Sequence, residues 1–496
     1  MLKQLFRRKS LDELVHEGEE PTRQLKRVLG AFDVVMLGIG AIIGAGIFAT
    51  IGTAAAGDVA RPGAGPALML SFVLTAIACG FAALCYAEFA AMVPISGSAY
   101  TYSYGTLGEL VAWIIGWDLI IEYAVGNVAV AISWANYFKT FVAGFGIIIP
   151  DWISIDYRTA SKIPGLLEHA PHLFGVPIVF NLPAFSIVAL ITVVLVIGIR
   201  ESAKLNTIMV MIKLVVLAIF VWIGFHYVKP ANWTPFAPNG WAGVQAGAAI
   251  VFFAYIGFDA VSTVAEEVKN PKRDLPIGII GSLIVCTIIY ILVAAVFTGI
   301  IPYKALVKTL ASSQAEPLTL AIQYANIEKW GNILIGIIAF GSVIAHTAVL
   351  LVFQLGQPRI FFSMARDGLL PKSFAKVHPK FRTPYVTTIF TGLAVGICAM
   401  FTTIDEMVDL TNIGTLFAFI LVCIGILILR KREPDRPRSF RTPWVPFIPV
   451  LGIIACLYLI LGLPWITWLR FGIWLVVGMV IYFSYGYKKS RIRQEL

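Results

Sequence analysis

The sequence predicts an all-α integral membrane protein with twelve transmembrane helices. Apolar residues make up 58% of the 496 residues and charged residues 13%, whereas soluble domains carry about 25% charged residues. Spanning a bilayer takes about 20 predominantly apolar residues. Twelve segments have that character, at about 30–56, 66–93, 107–137, 183–200, 203–227, 240–265, 276–300, 331–362, 384–402, 408–430, 446–464 and 467–486.

The basic residues predict the orientation of these helices. If both termini are cytoplasmic, 28 of the 38 Lys and Arg residues lie in inner regions and 7 in outer loops, as the positive-inside rule requires. The net charge of +10 therefore follows from the orientation of the helices in the membrane, and it does not indicate that the protein binds nucleic acid. The six cysteines lie in apolar segments and form no CxxC pair, so we expect no disulfide framework and no zinc site. Phosphate-binding and catalytic signatures are absent from the sequence too, and we expect no cofactor and no other metal.

Four glycines within nine residues interrupt the first apolar segment, in Gly38–Phe48. Each weakens a helix by about 1 kcal/mol relative to alanine. One interpretation is close packing of helices. The other is a broken helix at mid-membrane depth, with Gly44–Gly46 unwound and free N–H groups able to hold an anion.

The sixth segment contains a counterpart, Val251–Ala260, with clustered aromatic residues, a central glycine and an acid. Segments one and six each open a group of five helices, which predicts an inverted repeat, and interrupted helices at matching positions point to a transporter binding site. We therefore divide the chain into four parts. The cytoplasmic tail is 1–29, the first repeat is 30–228 and the second repeat is 229–432. Helices eleven and twelve and the cytoplasmic C-terminus are 433–496.

Lys213 is the clearest ionisable residue inside a predicted span. It lies nine residues beyond Lys204, about 13 Å along a helix, too deep to reach the inner surface easily. A desolvated ammonium there could exchange a proton at physiological pH. The alternative is a lysine permanently paired with a buried carboxylate, or one that caps the carbonyls of a broken helix.

Other polar residues inside the spans are weaker candidates. Asp118 and Glu122 are four residues apart on one helix face. Glu122 either carries a proton, attracts a cationic group of the substrate, or makes a structural hydrogen bond to a neighbouring helix. Asp259 follows the second break and either caps the next half-helix or contributes chemistry. His346 and Thr347 lie together in segment eight, where the histidine is either a satisfied core residue or a contact for the substrate side chain.

Several motifs together resemble the amino acid–polyamine–organocation superfamily. Gly44–Phe48 resembles its Gly-x-Gly-(Ile/Val)-Phe helix break, and Pro94–Tyr102 and Arg200–Ala203 resemble its inner connections. Glu266–Pro276 and Met364–Pro371 resemble those of the bacterial relatives of the cationic amino acid transporters.

The resemblance implies a leucine-transporter-like fold with helices eleven and twelve peripheral. It places the substrate carboxylate on the amides of the first break and the α-ammonium on carbonyls of the second, with Thr347 nearby. It gives Lys213 the place of a sodium ion, which implies proton coupling, with Glu122 as a second proton-linked candidate. The substrate-binding residues that the resemblance implies are Ile43, Gly44, Ala45, Gly46, Phe253, Ala254 and Ile256. Thr347 is added as a candidate because segment eight is expected to border the site.

These observations predict a proton-coupled L-amino acid symporter, not an enzyme, in the bacterial inner membrane. Its predicted partners are a neutral or cationic L-amino acid, protons and membrane lipids; a small membrane-protein partner stays unidentified. Ala345–Val349 has one small hydroxyl residue, Thr347, where the animal cationic transporters are richer in them, which argues against strict cationic specificity. The alternatives are an amino acid or polyamine exchanger, and a sensor that binds amino acids without transporting them.

Overall fold

The computed structural model describes residues 5–9, 27–93, 98–198, 203–312, 316–327 and 330–491. Most of the predicted tail and the motif residues 94–97 and 200–202 lie outside them. The described residues are predominantly helical. The α-helices, numbered in chain order, are α1 Ala31–Ile42, α2 Ile51–Ala56, α3 Leu68–Met92, α4 Ser98–Thr106, α5 Glu109–Ile120, α6 Gly126–Ala143, α7 Tyr157–Ala160, α8 Leu166–His169, α9 Leu182–Ile197, α10 Ala203–Phe225, α11 Gly240–Val251, α12 Pro271–Ile300, α13 Tyr303–Ser312, α14 Pro317–Tyr324, α15 Gly331–Arg366, α16 Tyr385–Phe401, α17 Ile404–Arg432, α18 Phe447–Leu461, α19 Trp465–Ile481 and α20 Tyr487–Lys489.

Tighter and wider helical turns interrupt or join these helices. The π-helical turns are Gly46–Thr50, Ile121–Val125 and Tyr482–Gly486. The 3₁₀ turns are Gly65–Ala67, Asp151–Ile153, Pro230–Trp233, Phe252–Tyr255, Asp259–Glu267 and Lys372–Ala375. A two-stranded antiparallel hairpin of β1 (His172–Leu173) and β2 (Val176–Pro177) lies in the loop between α8 and α9.

Among the described residues, eight continuous helical stretches are long and apolar enough to cross a membrane, and a bent pair makes a ninth. The bent pair is Ala31–Ile42 with Gly46–Ala56. Three apolar helices, α9, α16 and α18, have 16, 17 and 15 residues and are shorter than a full span. An all-α membrane protein is therefore confirmed, whereas twelve spans and the inverted repeat stay predictions.

The two interrupted segments lie at the centre of the helix bundle. α12 packs along both α1 and α3, while α10 packs against α1 and α15. In the most apolar part of the span Gly240–Glu267, 89% of the residues are buried in the protein, compared with 22% for Trp465–Lys489. The sixth segment is thus enclosed by its neighbours, whereas most residues of the last one are not buried in the protein.

Candidate functional site

The first helix break falls at Ile43–Ala45. α1 ends at Ile42, Ile43 is extended with φ −77° and ψ 104°, and the π-helical turn begins at Gly46, with an angle of 40° between the two half-helices. In the described part of the chain, no backbone carbonyl accepts a hydrogen bond from the amides of 44–47. Gly46, which we expect to be unwound, begins the second half-helix. The break therefore presents unbonded donors at the N-terminal end of a half-helix.

The second break falls at Ile256–Phe258. The 3₁₀ turn Phe252–Tyr255 leads into an extended Ile256, and Gly257 has φ +117°, a conformation that glycine adopts readily and other residues rarely do. A β-carbon on Gly257 would lie 2.8 Å from the carbonyl oxygen of Ala41. Glycine is therefore required here both by the backbone conformation and by contact with the first broken helix.

The two breaks touch each other directly. A β-carbon on Gly46 would lie 2.1 Å from the Cα of Ala254. The hydroxyl of Tyr290, on α12, lies 3.1 Å from the carbonyl oxygen of Ile42 and 2.8 Å from that of Ala254. One buried phenol thus bridges the ends of both interrupted helices.

The predicted backbone contacts for a substrate lie together at this junction. The side chains of Ile43, Ala45, Phe253, Ala254 and Ile256 are all at most 5% exposed. A hydrogen bond from Tyr290 already reaches one predicted acceptor, the carbonyl of Ala254. Because a carbonyl oxygen has two lone pairs, this bond leaves that oxygen one further acceptor site.

Lys213 caps the C-terminal end of α1. Its ammonium donates to the carbonyl oxygens of Gly40 and Ile43 at 2.6 and 2.9 Å, and its side chain is fully buried. No carboxylate in the described residues lies within ion-pair distance of it. A cation is stabilised at this position because α1 presents unpaired carbonyls and the negative end of its dipole.

Glu122 lies in the π-helical turn Ile121–Val125, a distortion often found at functional sites. The next residue, Tyr123, donates to Asp259 Oδ2 at 3.3 Å, which links this turn to the second helix break. One oxygen of each carboxyl group, Glu122 Oε2 and Asp259 Oδ1, has no hydrogen-bond partner. Both side chains are at most 1% exposed.

His346 faces the first broken helix, and Thr347 does not share its environment. The rings of His346 and Phe48 are 5.8 Å apart. His346 Nδ1 lies 2.6 Å from the Ser342 carbonyl oxygen, which only accepts, so Nδ1 carries a proton; Nε2 lies 2.6 Å from the Ser133 hydroxyl. Both ring nitrogens are occupied. Thr347 instead accepts a hydrogen bond from Trp134 at 3.0 Å.

Sequence reasoning missed the tyrosine residues that hold the two broken helices. Besides Tyr290, the hydroxyl of Tyr137 donates to the Phe48 carbonyl at 2.6 Å. A buried phenol usually finds a hydrogen-bond partner, so a tyrosine in the middle of an apolar span was the available signal. The presence of such a tyrosine does not reveal which of the many buried carbonyls is its hydrogen-bond partner.

Comparison with known proteins shows which family this chain is similar to. The family model described as amino acid permease matches residues 29–484. The chain is 49% identical to the branched-chain amino acid permease BcaP of Bacillus subtilis (strain 168) over 490 residues, which cover 99% of each protein.

Two further relatives differ in what their names say they transport. The chain is 44% identical to the methylthioribose transporter of Bacillus subtilis (strain 168), again over 99% of each protein. It is 35% identical to the vacuolar cationic amino acid transporter 4 of Arabidopsis thaliana over 437 residues, covering 87% of this chain and 68% of the relative. The sequence is therefore similar to transporters of more than one substrate class.

Proposed function

The chain belongs to the amino acid permease family, and from that premise we propose that it imports L-amino acids together with protons by alternating access. The predicted similarity to the amino acid–polyamine–organocation superfamily is confirmed, and a transporter rather than an enzyme is confirmed with it. The observation that supports the proposal best is the junction of the two broken helices, with the Lys213 ammonium on the carbonyls of one of them.

The proposed substrate lies across this junction. Its carboxylate accepts hydrogen bonds from the break at Ile43–Gly46, because a half-helix N-terminus offers free donors and a positive dipole end. Its α-ammonium lies against the carbonyl oxygens of Phe253, Ala254 and Ile256, where the preceding half-helix ends. An α-amino acid carries both charges on one carbon, so it matches the opposite polarities of the two breaks. Thr347 stays a predicted contact.

Lys213 is the proposed coupling residue. Its charged ammonium makes two charge-assisted hydrogen bonds to Gly40 and Ile43, which are stronger than neutral ones. A neutral amine holds these two carbonyls less firmly. Loss of the proton would therefore release the inner half of the first broken helix. Glu122 stays the second proton-linked candidate.

We propose a neutral amino acid as the substrate. The branched-chain permease relative supports this class, and the two occupied ring nitrogens of His346 leave it no free acceptor for a cationic side chain. The proposed setting is the bacterial cell membrane with both termini cytoplasmic, twelve spans and repeats at 30–228 and 229–432.

The experiment that tests the proposal uses the purified protein in proteoliposomes with only a pH gradient. We expect Lys213→Met to abolish uphill uptake of labelled amino acid while retaining binding, since methionine keeps the side-chain volume and removes the charge. Lys204→Met is the matched control on the same helix, at an exposed position, and should accumulate substrate like the wild type. Full uphill uptake by Lys213→Met would refute the coupling role.

The same vesicles discriminate the alternative functions. An obligatory exchanger would show counterflow without accumulation in the wild type, whatever the pH gradient. A non-transporting sensor would bind substrate and show neither activity.

A further inference from the structure

The loop that leads into α16 is strongly basic. We call residues 372–382 the basic loop. It carries four exposed cationic residues, Lys372, Lys376, Lys380 and Arg382. The sequence contains no Asp or Glu from 368 to 404. The basic loop is therefore a positively charged surface that no acidic residue of the same stretch neutralises.

Distant parts of the chain do not neutralise this loop either. In the part of the chain that the structure describes, none of its four cations takes part in an ion pair. The loop between α17 and α18 differs in this respect. There Glu433 pairs with Arg436 at 3.0 Å, and Arg438 Nε lies 3.0 Å from the Glu88 carboxylate. The charges of the basic loop thus stay available for a ligand from outside the chain.

The second half of the basic loop is a closed turn. The His378 amide donates to the Thr383 carbonyl at 2.8 Å, and the Arg382 amide donates to the His378 carbonyl at 3.0 Å. His378 Nδ1 accepts hydrogen bonds from the amides of Lys380 and Phe381 at 3.2 and 3.1 Å. Lys380 Nζ lies 5.5 Å from the centroid of the Phe381 ring. This turn therefore holds Lys380 and Arg382 close together.

Neighbouring helices hold the basic loop in place. Thr383 Oγ1 donates to the carbonyl oxygen of Val196, in α9, at 2.8 Å. The rings of Phe361, Phe374 and Phe390 form a cluster with centroids between 5.4 and 6.1 Å apart. This cluster fixes the turn Lys372–Ala375 against α15 and α16. Because both halves of the loop are anchored, its charges lie at a defined position.

The basic loop leads directly into an exposed apolar stripe on α16. The members of the stripe are four residues apart on one helix face and are 41–53% exposed: Ile389, Leu393, Ile397 and Phe401. Large exposed apolar surfaces mark sites of contact with a membrane or a protein. A positively charged loop at the end of such a stripe matches a phospholipid, which joins an anionic headgroup to apolar chains.

We propose that the basic loop binds the phosphate headgroup of an anionic phospholipid whose acyl chains lie along the stripe on α16. Arg382 offers a planar guanidinium that suits two hydrogen bonds to one phosphate, and the lysines add point charges. In the proposed orientation this loop lies at the cytoplasmic surface of the membrane, where anionic lipids attract basic segments. The lipid site depends on neither the substrate nor proton coupling.

The positive-inside rule alone does not account for this arrangement. The rule concerns the number of Lys and Arg residues in a loop, and the loop between α17 and α18 also satisfies it, although acidic residues pair with its cations. The basic loop has two further properties, the absence of acidic residues and the closed turn. These two properties predict a site that selects anionic lipids.

The test measures binding of phosphatidylglycerol and phosphatidylcholine to the purified full chain in detergent by native mass spectrometry. We expect the wild type to bind phosphatidylglycerol about tenfold or more tightly than phosphatidylcholine, because only the former carries a net charge. The triple variant Lys376→Gln, Lys380→Gln and Arg382→Gln should lose this preference. Equal binding of the two lipids by the wild type would overturn the proposal.

The matched control is the triple variant Lys431→Gln, Arg432→Gln and Arg441→Gln. It removes three exposed charges from the end of α17 and the loop that follows. We expect it to prefer phosphatidylglycerol as strongly as the wild type does. An equal loss of preference in the two triple variants would show a general effect of charge and would overturn the site.

Thr383→Val separates the shape of the loop from its charge. It keeps all four cations and removes the hydrogen bond to Val196, so we expect phosphatidylglycerol binding to weaken by several-fold. Unchanged binding would refute the anchored turn as part of the site. Glycerol 3-phosphate carries the headgroup phosphate without acyl chains and should bind far more weakly than phosphatidylglycerol. Equally tight binding of this soluble phosphate would refute a membrane lipid as the ligand.

Discussion

At the scale of single residues, the junction depends on groups that permit a close approach and on one group that joins both helices. Gly46 lets the second half-helix of the first break lie against the backbone of Ala254. The single O–H of Tyr290 lies within hydrogen-bond distance of two carbonyls that helix interruption leaves without their usual amide partners, those of Ile42 and Ala254. The two broken helices are therefore held together at this site by the small size of Gly46 and the hydroxyl of Tyr290, without longer polar side chains.

We predict that Gly46→Ala abolishes substrate binding and uptake. Its methyl group would overlap the Ala254 Cα, so the two breaks must move apart and lose their alignment. The measurement is substrate-induced thermal stabilisation together with labelled uptake. Gly80→Ala is the control, because no atom lies within 4 Å of the added carbon, and it should behave like the wild type. Normal uptake by Gly46→Ala would show that the junction tolerates displacement.

Tyr290→Phe should slow transport without unfolding the protein. Removing the hydroxyl leaves the Ile42 and Ala254 carbonyls without this donor, at a cost of about 1–3 kcal/mol for a buried unsatisfied group. We expect uptake to fall by about tenfold, which corresponds to 1.4 kcal/mol, and the melting temperature to fall. Tyr324→Phe, at a 46%-exposed position, is the control. Unchanged uptake and melting temperature in Tyr290→Phe would contradict the bridging role.

At the scale of helices, one buried carboxylate connects three elements at the far end of α3. Glu88 accepts from Arg430, on α17, at 2.8 and 2.9 Å, and from the Thr442 amide at 2.7 Å. Arg438 Nε lies 3.0 Å from the same carboxylate. Burial lowers the pKa of Arg438, against the opposing effect of the Glu88 charge. Glu88 is thus a structural ion-pair centre rather than part of the substrate junction.

Glu88→Gln should lower the melting temperature by several degrees. The substitution leaves two arginine side chains without their anion, and breaking a buried ion pair by removing one partner costs about 3–5 kcal/mol. Differential scanning fluorimetry of the purified protein measures this. Glu433→Gln removes a surface pair with Arg436, 3.0 Å long, and should change the melting temperature little. Equal effects of the two substitutions would refute a special role for Glu88.

At the scale of the whole molecule, we propose that the residues around the junction decide which substrate is bound. The relatives named above are a branched-chain amino acid permease, a methylthioribose transporter and a cationic amino acid transporter. The relatives are named for different cargoes, and we propose that side chains near the junction select the cargo of this chain. His346 packs against Phe48 and Tyr137, and both of its ring nitrogens are occupied. We place this polar side chain beside the junction.

We predict that leucine, isoleucine and valine stabilise the protein and that arginine and lysine do not. A ligand at 100 times its dissociation constant stabilises the folded state by about 2.7 kcal/mol, so a thermal-shift screen of the twenty amino acids measures this directly. Methylthioribose belongs in the same screen as a competing hypothesis. A larger shift with arginine than with leucine would refute the neutral substrate class.

Much of the site was predictable because its signals are local. Glycines clustered in an apolar segment indicate a weak helix whatever surrounds them, and Ile43–Ala45 is where that helix breaks. A lysine at the centre of an apolar segment is unusual by itself. The prediction for Glu122 left a proton carrier and a structural hydrogen bond open, since helix periodicity shows the face of a residue but not its neighbour.

The sequence by itself determined the apolar segments, the two interruptions and the depth of Lys213, since these follow from residue type and spacing along the chain. Only the tertiary structure decided which groups meet. Lys213 caps carbonyls 170 and 173 positions away, and Tyr290 reaches one 248 positions away. Such contacts depend on how distant helices pack against each other, and hydropathy carries no information about that arrangement.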